Sequence, residues 1–105
     1  MQDLLDLEGA SGARYRFRHV ADLSDLRVTA GNFAYVRWTG PRPQVVGCGA
    51  VNGLVRAVSG WSEAVSAHGA NAVYVRLNVA RAARLDEHHD LIEGLRPPMP
   101  AAALD

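Results

Sequence analysis

The sequence holds no lysine, a single cysteine and no long apolar run, and each scarcity removes a class of function. Cys48 has no partner for an internal disulfide and supplies no zinc-ligand spacing, which fits a reducing compartment and sets structural-zinc and redox roles aside. No apolar stretch approaches the ~18 residues that cross a bilayer. Met1 to Glu8 is acidic rather than basic, so the expectation is a cytoplasmic chain, neither secreted nor membrane-bound. Excess positive charge is missing too, because 11 acidic and 11 basic residues cancel, whereas nucleic-acid binders are usually basic overall. Neither GxxxxGK[ST] nor GxGxxG occurs, so Gly31, Gly47 and Gly49 read as turn residues before phosphate cradles.

What is present suits one small domain. A chain of 105 residues with 49% apolar content buries one modest core, expected over residues 1–98, with 99–105 as a mobile tail lacking periodicity. Charge is uneven along the chain. Arg14, Arg16, Arg18, Arg27, Arg37 and Arg42 cluster against Asp22 and Asp25, while Asp3, Asp6 and Glu8 precede them. The planar arginine fork suits phosphate, although a G+C-rich coding sequence gives the same bias.

Tyr15 to Val20 alternates apolar and polar residues, the period of a strand with one buried face, which puts Arg14, Arg16 and Arg18 on the other. Asp22 to Arg27 has turn character. Asn32 to Trp38 is a second strand by its β-branched and aromatic content, Thr39 to Pro43 a hairpin loop, and Gln44 to Val46 the return strand, ending at Gly47-Cys48-Gly49. Asn52 to His68 carries a helical stripe including Leu54, Ala57, Val58, Ala64 and Val65, with Gly60 as an interruption and Gly69 as its stop. Asn71 to Leu77 is the third core strand, and Ala80 to Leu95 a second helix, with Leu85, Leu91, Ile92 and Leu95 inward, ended by Pro97-Pro98. The expected fold is α+β, a small, mainly antiparallel sheet of three to four strands flanked by helices.

Gly31-Asn32-Phe33-Ala34-Tyr35-Val36, a hairpin and Val45-Val46-Gly47 resemble the paired segments of the GIY-YIG nucleases. Arg84, Glu87 and Asp90-Leu91-Ile92, followed by Leu95 to Pro100, resemble that family's glutamate helix and its closing proline and asparagine signature, so the likeness spans residues 31 to 100. It implies a fold in which two tyrosines come from neighbouring strands, and cleavage of DNA or RNA with one divalent metal, magnesium or manganese, held by the helix glutamate. The motif positions have changed, however. The first tyrosine falls on Phe33, the second on Val45, the glutamate on His88 and the asparagine on Pro100, while Gly31 and Gly47 keep the glycines and Arg56 matches the arginine after a one-residue shift.

Two residues stand close to the lost groups. Tyr35 shares a strand face with Phe33 and offers a hydroxyl roughly 7 Å further along; Glu87 adjoins His88, rotated by about 100° around the helix. Tyr35, Arg56 and Glu87 are therefore the catalytic candidates, and Glu87 and His88 the metal candidates. His88 also reads as an interior histidine satisfied by a backbone carbonyl, and His89 as solvent-facing. Arg81, Arg84 and His88, at i, i+3 and i+7, line a basic groove for phosphate, or else reach solvent from the helix start. Arg56 reads as an ordinary surface arginine on a continuous helix. Arg14, Arg16 and Arg18 read as the wet side of an edge strand, or as a phosphate-tracking stripe. Three functions follow: a catalytically weakened GIY-YIG-like domain with a nucleic-acid groove, an active metal-dependent endonuclease with displaced residues, or an interaction or homodimerisation module keeping only the fold.

Overall fold

The computed structural model describes residues 1–100. Among them the chain forms strands β1 (Leu4–Glu8), β2 (Arg14–Val20), β3 (Gly31–Thr39), β4 (Arg42–Val51) and β5 (Ala72–Leu77), and helices α1 (Trp61–His68) and α2 (Arg81–Leu95), with 3₁₀ segments at Leu23–Asp25 and Leu54–Gly60. The α+β expectation holds, with five strands in place of three to four. Their order is β1-β2-β5-β3-β4, every neighbouring pair antiparallel.

The additional strand is β1. Asp and Glu are poor strand formers, but Asp6 and Glu8 lie opposite Arg16 and Arg14. Arg16 reaches Asp6 at 2.9 Å, Arg14 reaches Glu8 at 3.5 Å and Arg18 reaches Asp3 at 3.4 Å. Leu5 and Leu7 alternate with these charges and are buried beside Phe17 on the opposite face. Burial of that face fixes the register, since a one-residue slip would bring the charges inward.

β4 runs on through Gly47-Cys48-Gly49 to Val51 instead of stopping there. Gly47 lies opposite Tyr35, and a Cβ on it would stand 3.2 Å from the Tyr35 ring and 3.0 Å from the Met99 sulfur, so the glycine is a space requirement of the ladder rather than a chain break. A bulge at Val46 separates the Tyr35–Gly47 pair from the Val36–Val45 pair.

The expected helix from Asn52 to His68 divides at Gly60. In its first half Leu54, Ala57 and Gly60 recur every three residues, the period of a 3₁₀ turn, and they face the sheet while Val58 and Val65 are 46% and 42% exposed. A Cβ on Gly60 would stand 2.7 Å from the Tyr35 hydroxyl, which accounts for the close approach there. Gly69 ends α1 in the left-handed conformation, φ 72°, as expected.

The two faces of the sheet have separate cores. Phe33, Tyr35, Val51 and Val73 pack under the second 3₁₀ segment and α1, while Phe17, Ala34, Val36 and Tyr74 pack under α2 through Leu91. Met99, expected to begin a mobile tail, is buried in the first core, and its N–H donates to the Val46 carbonyl at 2.9 Å. Residues 101–105 of that expected tail lie outside the described residues.

Candidate functional site

The catalytic candidates are divided by the sheet. Tyr35 points to the side of the second 3₁₀ segment, is fully buried between Phe33 and Trp61, and donates its hydroxyl proton to the Ala57 carbonyl. Burial pushes that hydroxyl up to about 12, against a weaker opposing effect of the Gly60 backbone. Glu87 is on α2, across the sheet. Its carboxylate takes the Arg76 guanidinium at 2.8 Å with both side chains mostly buried, and Arg76 in turn lies 5.6 Å from the centre of the Tyr15 ring. Arg56 is exposed, as expected, and bonds Asn52 at 3.2 Å, although it sits on the 3₁₀ segment and not on a continuous helix. Tyr35, Arg56 and Glu87 do not form one pocket.

The proposed phosphate groove along α2 is not formed either. Arg84 and His88 are only 3% and 2% exposed. The Arg84 guanidinium is turned back onto the carbonyls of Asn78 (3.2 Å) and Val79 (2.7 Å), so it ties the loop after β5 to the first turn of α2. Arg81 lies exposed at the helix start. His89 is exposed, as expected.

His88 is interior, as expected, but its Nδ1 makes no hydrogen bond among the described residues. Burial, with a smaller push from His89, lowers its pKa below the ordinary histidine value and holds the imidazole neutral. The neutral form is favoured in the folded chain, so the stability this residue contributes is present above about pH 6.5 and is lost as pH falls through its lower folded pKa. His88→Leu is expected to keep near-wild-type stability at pH 7, since no hydrogen bond to Nδ1 is lost, and to lose less than wild type in urea unfolding between pH 7 and pH 5. Equal losses in the two proteins would show that His88 does not titrate on unfolding.

The divalent metal implied by the resemblance does not fit these residues. Among the described residues no three His, Cys, Asp or Glu side chains converge as a metal site requires, Glu87 is ion-paired with Arg76 at 2.8 Å, and His88 is only 2% exposed. Of the motif positions, Phe33 belongs to one core and Val45 to the other, and Pro100 is exposed. Cys48 is buried with its thiol pushed up to about 12 by burial, far from a nucleophile's range.

Two features were not drawn from the sequence. The first is a polar clasp. The Asp90 carboxylate accepts from the Tyr15 hydroxyl (2.6 Å), the Ser11 hydroxyl (2.7 Å) and the Ser11 N–H (2.8 Å), and these bonds, Tyr15's foremost, hold its pKa below the usual carboxylate range. It fastens α2 to the β1–β2 turn. The pair Tyr15 and Asp90 carried no signal in the sequence, since 75 residues separate them.

The second is an open groove of about 740 Å³ on the sheet face that α1 leaves bare. Val20 of β2 and Val75 and Leu77 of β5 line it with Leu54, Leu4 of β1 lies across Arg18 from Val75, and Arg27 comes from the loop before β3. Asp25 is the acidic residue of its lining. Alternation in β2 pointed to Arg16, Arg18 and Val20 sharing a face, but the groove also needs β5 and the loop before β3. No helix among the described residues is long and apolar enough to cross a membrane. No family model, curated protein or solved structure matches the chain.

Proposed function

We propose that this chain is a divergent GIY-YIG-like domain without a nuclease centre, and that it acts as a binding module. The observation that carries this reading is the separation of Tyr35 from Glu87: the hydroxyl is buried on one side of the sheet and the carboxylate is ion-paired on the other. General acid–base and metal-assisted cleavage both need their groups within hydrogen-bond reach of one phosphate. The order of hairpin β3–β4, helix, β5 and α2 supports the resemblance at the level of fold.

Binding to DNA or RNA loses support from the same geometry. Arg84 and His88 are buried, and each arginine of the β2 stripe faces a carboxylate of β1 or Asp3, which weakens the pull on a phosphate backbone. The uncovered apolar strip in the groove favours an interaction role instead.

A nicking assay on supercoiled DNA with magnesium, manganese or nickel tests the reading. Wild-type protein is expected to leave the substrate intact and to show no salt-dependent retention of DNA or RNA. Cleavage that disappears in Glu87→Gln but persists in His89→Ala would overturn it.

A further inference from the structure

We propose that the groove between the β1–β2 charge ladder and the second 3₁₀ segment binds an amphipathic anion, specifically a free medium-chain fatty acid, with its chain on the Val20–Val75–Leu77 floor and its carboxylate at Arg27. This rests on the binding-module reading and adds the ligand class.

The apolar part of the case is the uncovered surface. Leu77 is 60% exposed and Leu4 37% exposed, although both sit on strands and flank half-buried Val20 and Val75. Apolar side chains left this exposed beside a concave wall are the ordinary setting of a small-molecule site. The volume of about 740 Å³ also lies inside the roughly 300–1,000 Å³ range of such sites.

The charge at the rim selects the head group. Arg27 makes no side-chain hydrogen bond or ion pair with a described residue. Arg16 and Arg18 already face Asp6 and Asp3 at 2.9 and 3.4 Å, so the head group falls to Arg27 and not to the β2 arginines. A carboxylate entering here meets an arginine fork suited to it.

Other occupants fit less well. Single-stranded nucleic acid needs aromatic rings to stack on, and the rings of β2 that border the groove, Phe17 and His19, belong to the other face: Phe17 is fully buried and His19 lies against Tyr74. An added peptide strand needs a free edge, but β2 and β5 are paired on both sides. A second copy docked face to face would bring one arginine rim against another.

The test is a titration of the full chain with dodecanoate below its micellar concentration, followed by amide chemical shifts. Saturable shifts confined to β2, β5 and residues 21–29 are expected. Arg27→Glu and Leu77→Glu, both exposed and so compatible with folding, are each expected to weaken binding by roughly tenfold or more, and dodecanol, which keeps the chain without the charge, by a similar factor. Absence of saturable shifts, wild-type affinity in both variants, binding of anionic vesicles with equal loss in Arg27→Glu but none of the free acid, or a doubled mass by light scattering that is abolished by Leu77→Glu would each overturn the assignment. Failure here leaves the non-catalytic reading standing, because only the nicking assay bears on that.

Discussion

Gly31→Ala is expected to destabilise the protein by about 3 kcal/mol, at the upper end of overpacking costs. Gly31 pairs with Leu77 in the ladder between β3 and β5 and with Val51 in the ladder to β4. A methyl group there would run into the Arg76 carbonyl oxygen and stand 3.0 Å from a Leu54 methyl. The leucine can turn aside. The carbonyl belongs to a central strand and cannot move without loosening β5 from its neighbours. Urea unfolding followed by circular dichroism measures the loss. Gly12→Ala serves as comparison, since a Cβ there meets nothing within 4 Å and the cost is only that of φ +87° in a turn, roughly 1 kcal/mol. Similar midpoints for the two variants would mean that the sheet tolerates the methyl and that Gly31 is not a packing requirement.

Tyr35 gives the other large effect, and it separates a core role from a catalytic one. Tyr35→Ala removes a fully buried ring that touches Phe33 and Trp61, with centroids 5.1 and 5.9 Å away, and is expected to cost about 3–5 kcal/mol. Tyr35→Phe keeps the ring and strands the Ala57 carbonyl, expected to cost about 1–3 kcal/mol. The wild-type hydroxyl adds a pH signature. Its folded pKa of about 12 lies above the ordinary value of 10, so the stability it contributes is complete below pH 10 and is lost as pH rises toward 12. Unfolding measured at pH 9 and pH 11 is therefore expected to show an alkaline loss in wild type that is smaller in Tyr35→Phe. A surface tyrosine poised for chemistry would titrate near 10, and its conversion to phenylalanine would leave stability untouched.

The sequence was most legible where a period persisted. β2, β3, β5 and α2 follow from alternation and helical spacing, and Gly69 from the stop it supplies. β1 escaped because Asp6 and Glu8 argue against a strand until Arg16 and Arg14 are placed opposite them, which is a fact of pairing and not of local composition. The helix from Asn52 failed in its first half because a spacing of three was read inside a pattern of 3.6, and Gly60 marked the change of period. The candidate site was less legible. Tyr35 was correctly set on the face of Phe33, but which face holds α2 depends on the order of strands, and that order is not written in any one segment. Arg84 and His88 were projected inward, and burial then denied them the groove assigned to them. Tyr15–Asp90 and the groove itself join residues from distant parts of the chain, so no spacing could announce them.

The place of β5 bears on how the molecule is made. β2 and β3 follow each other along the chain yet are kept one strand apart, and the gap is filled only by residues 72–77. During synthesis the hairpins β1–β2 and β3–β4 emerge before β5, and the edges of β2 and β3 that β5 will cover are still open. Until β5 arrives, those two edges invite strands from neighbouring nascent chains. A chain cut short before Ala72 would keep them permanently, so loss of its last third is expected to yield aggregates rather than a smaller soluble fold.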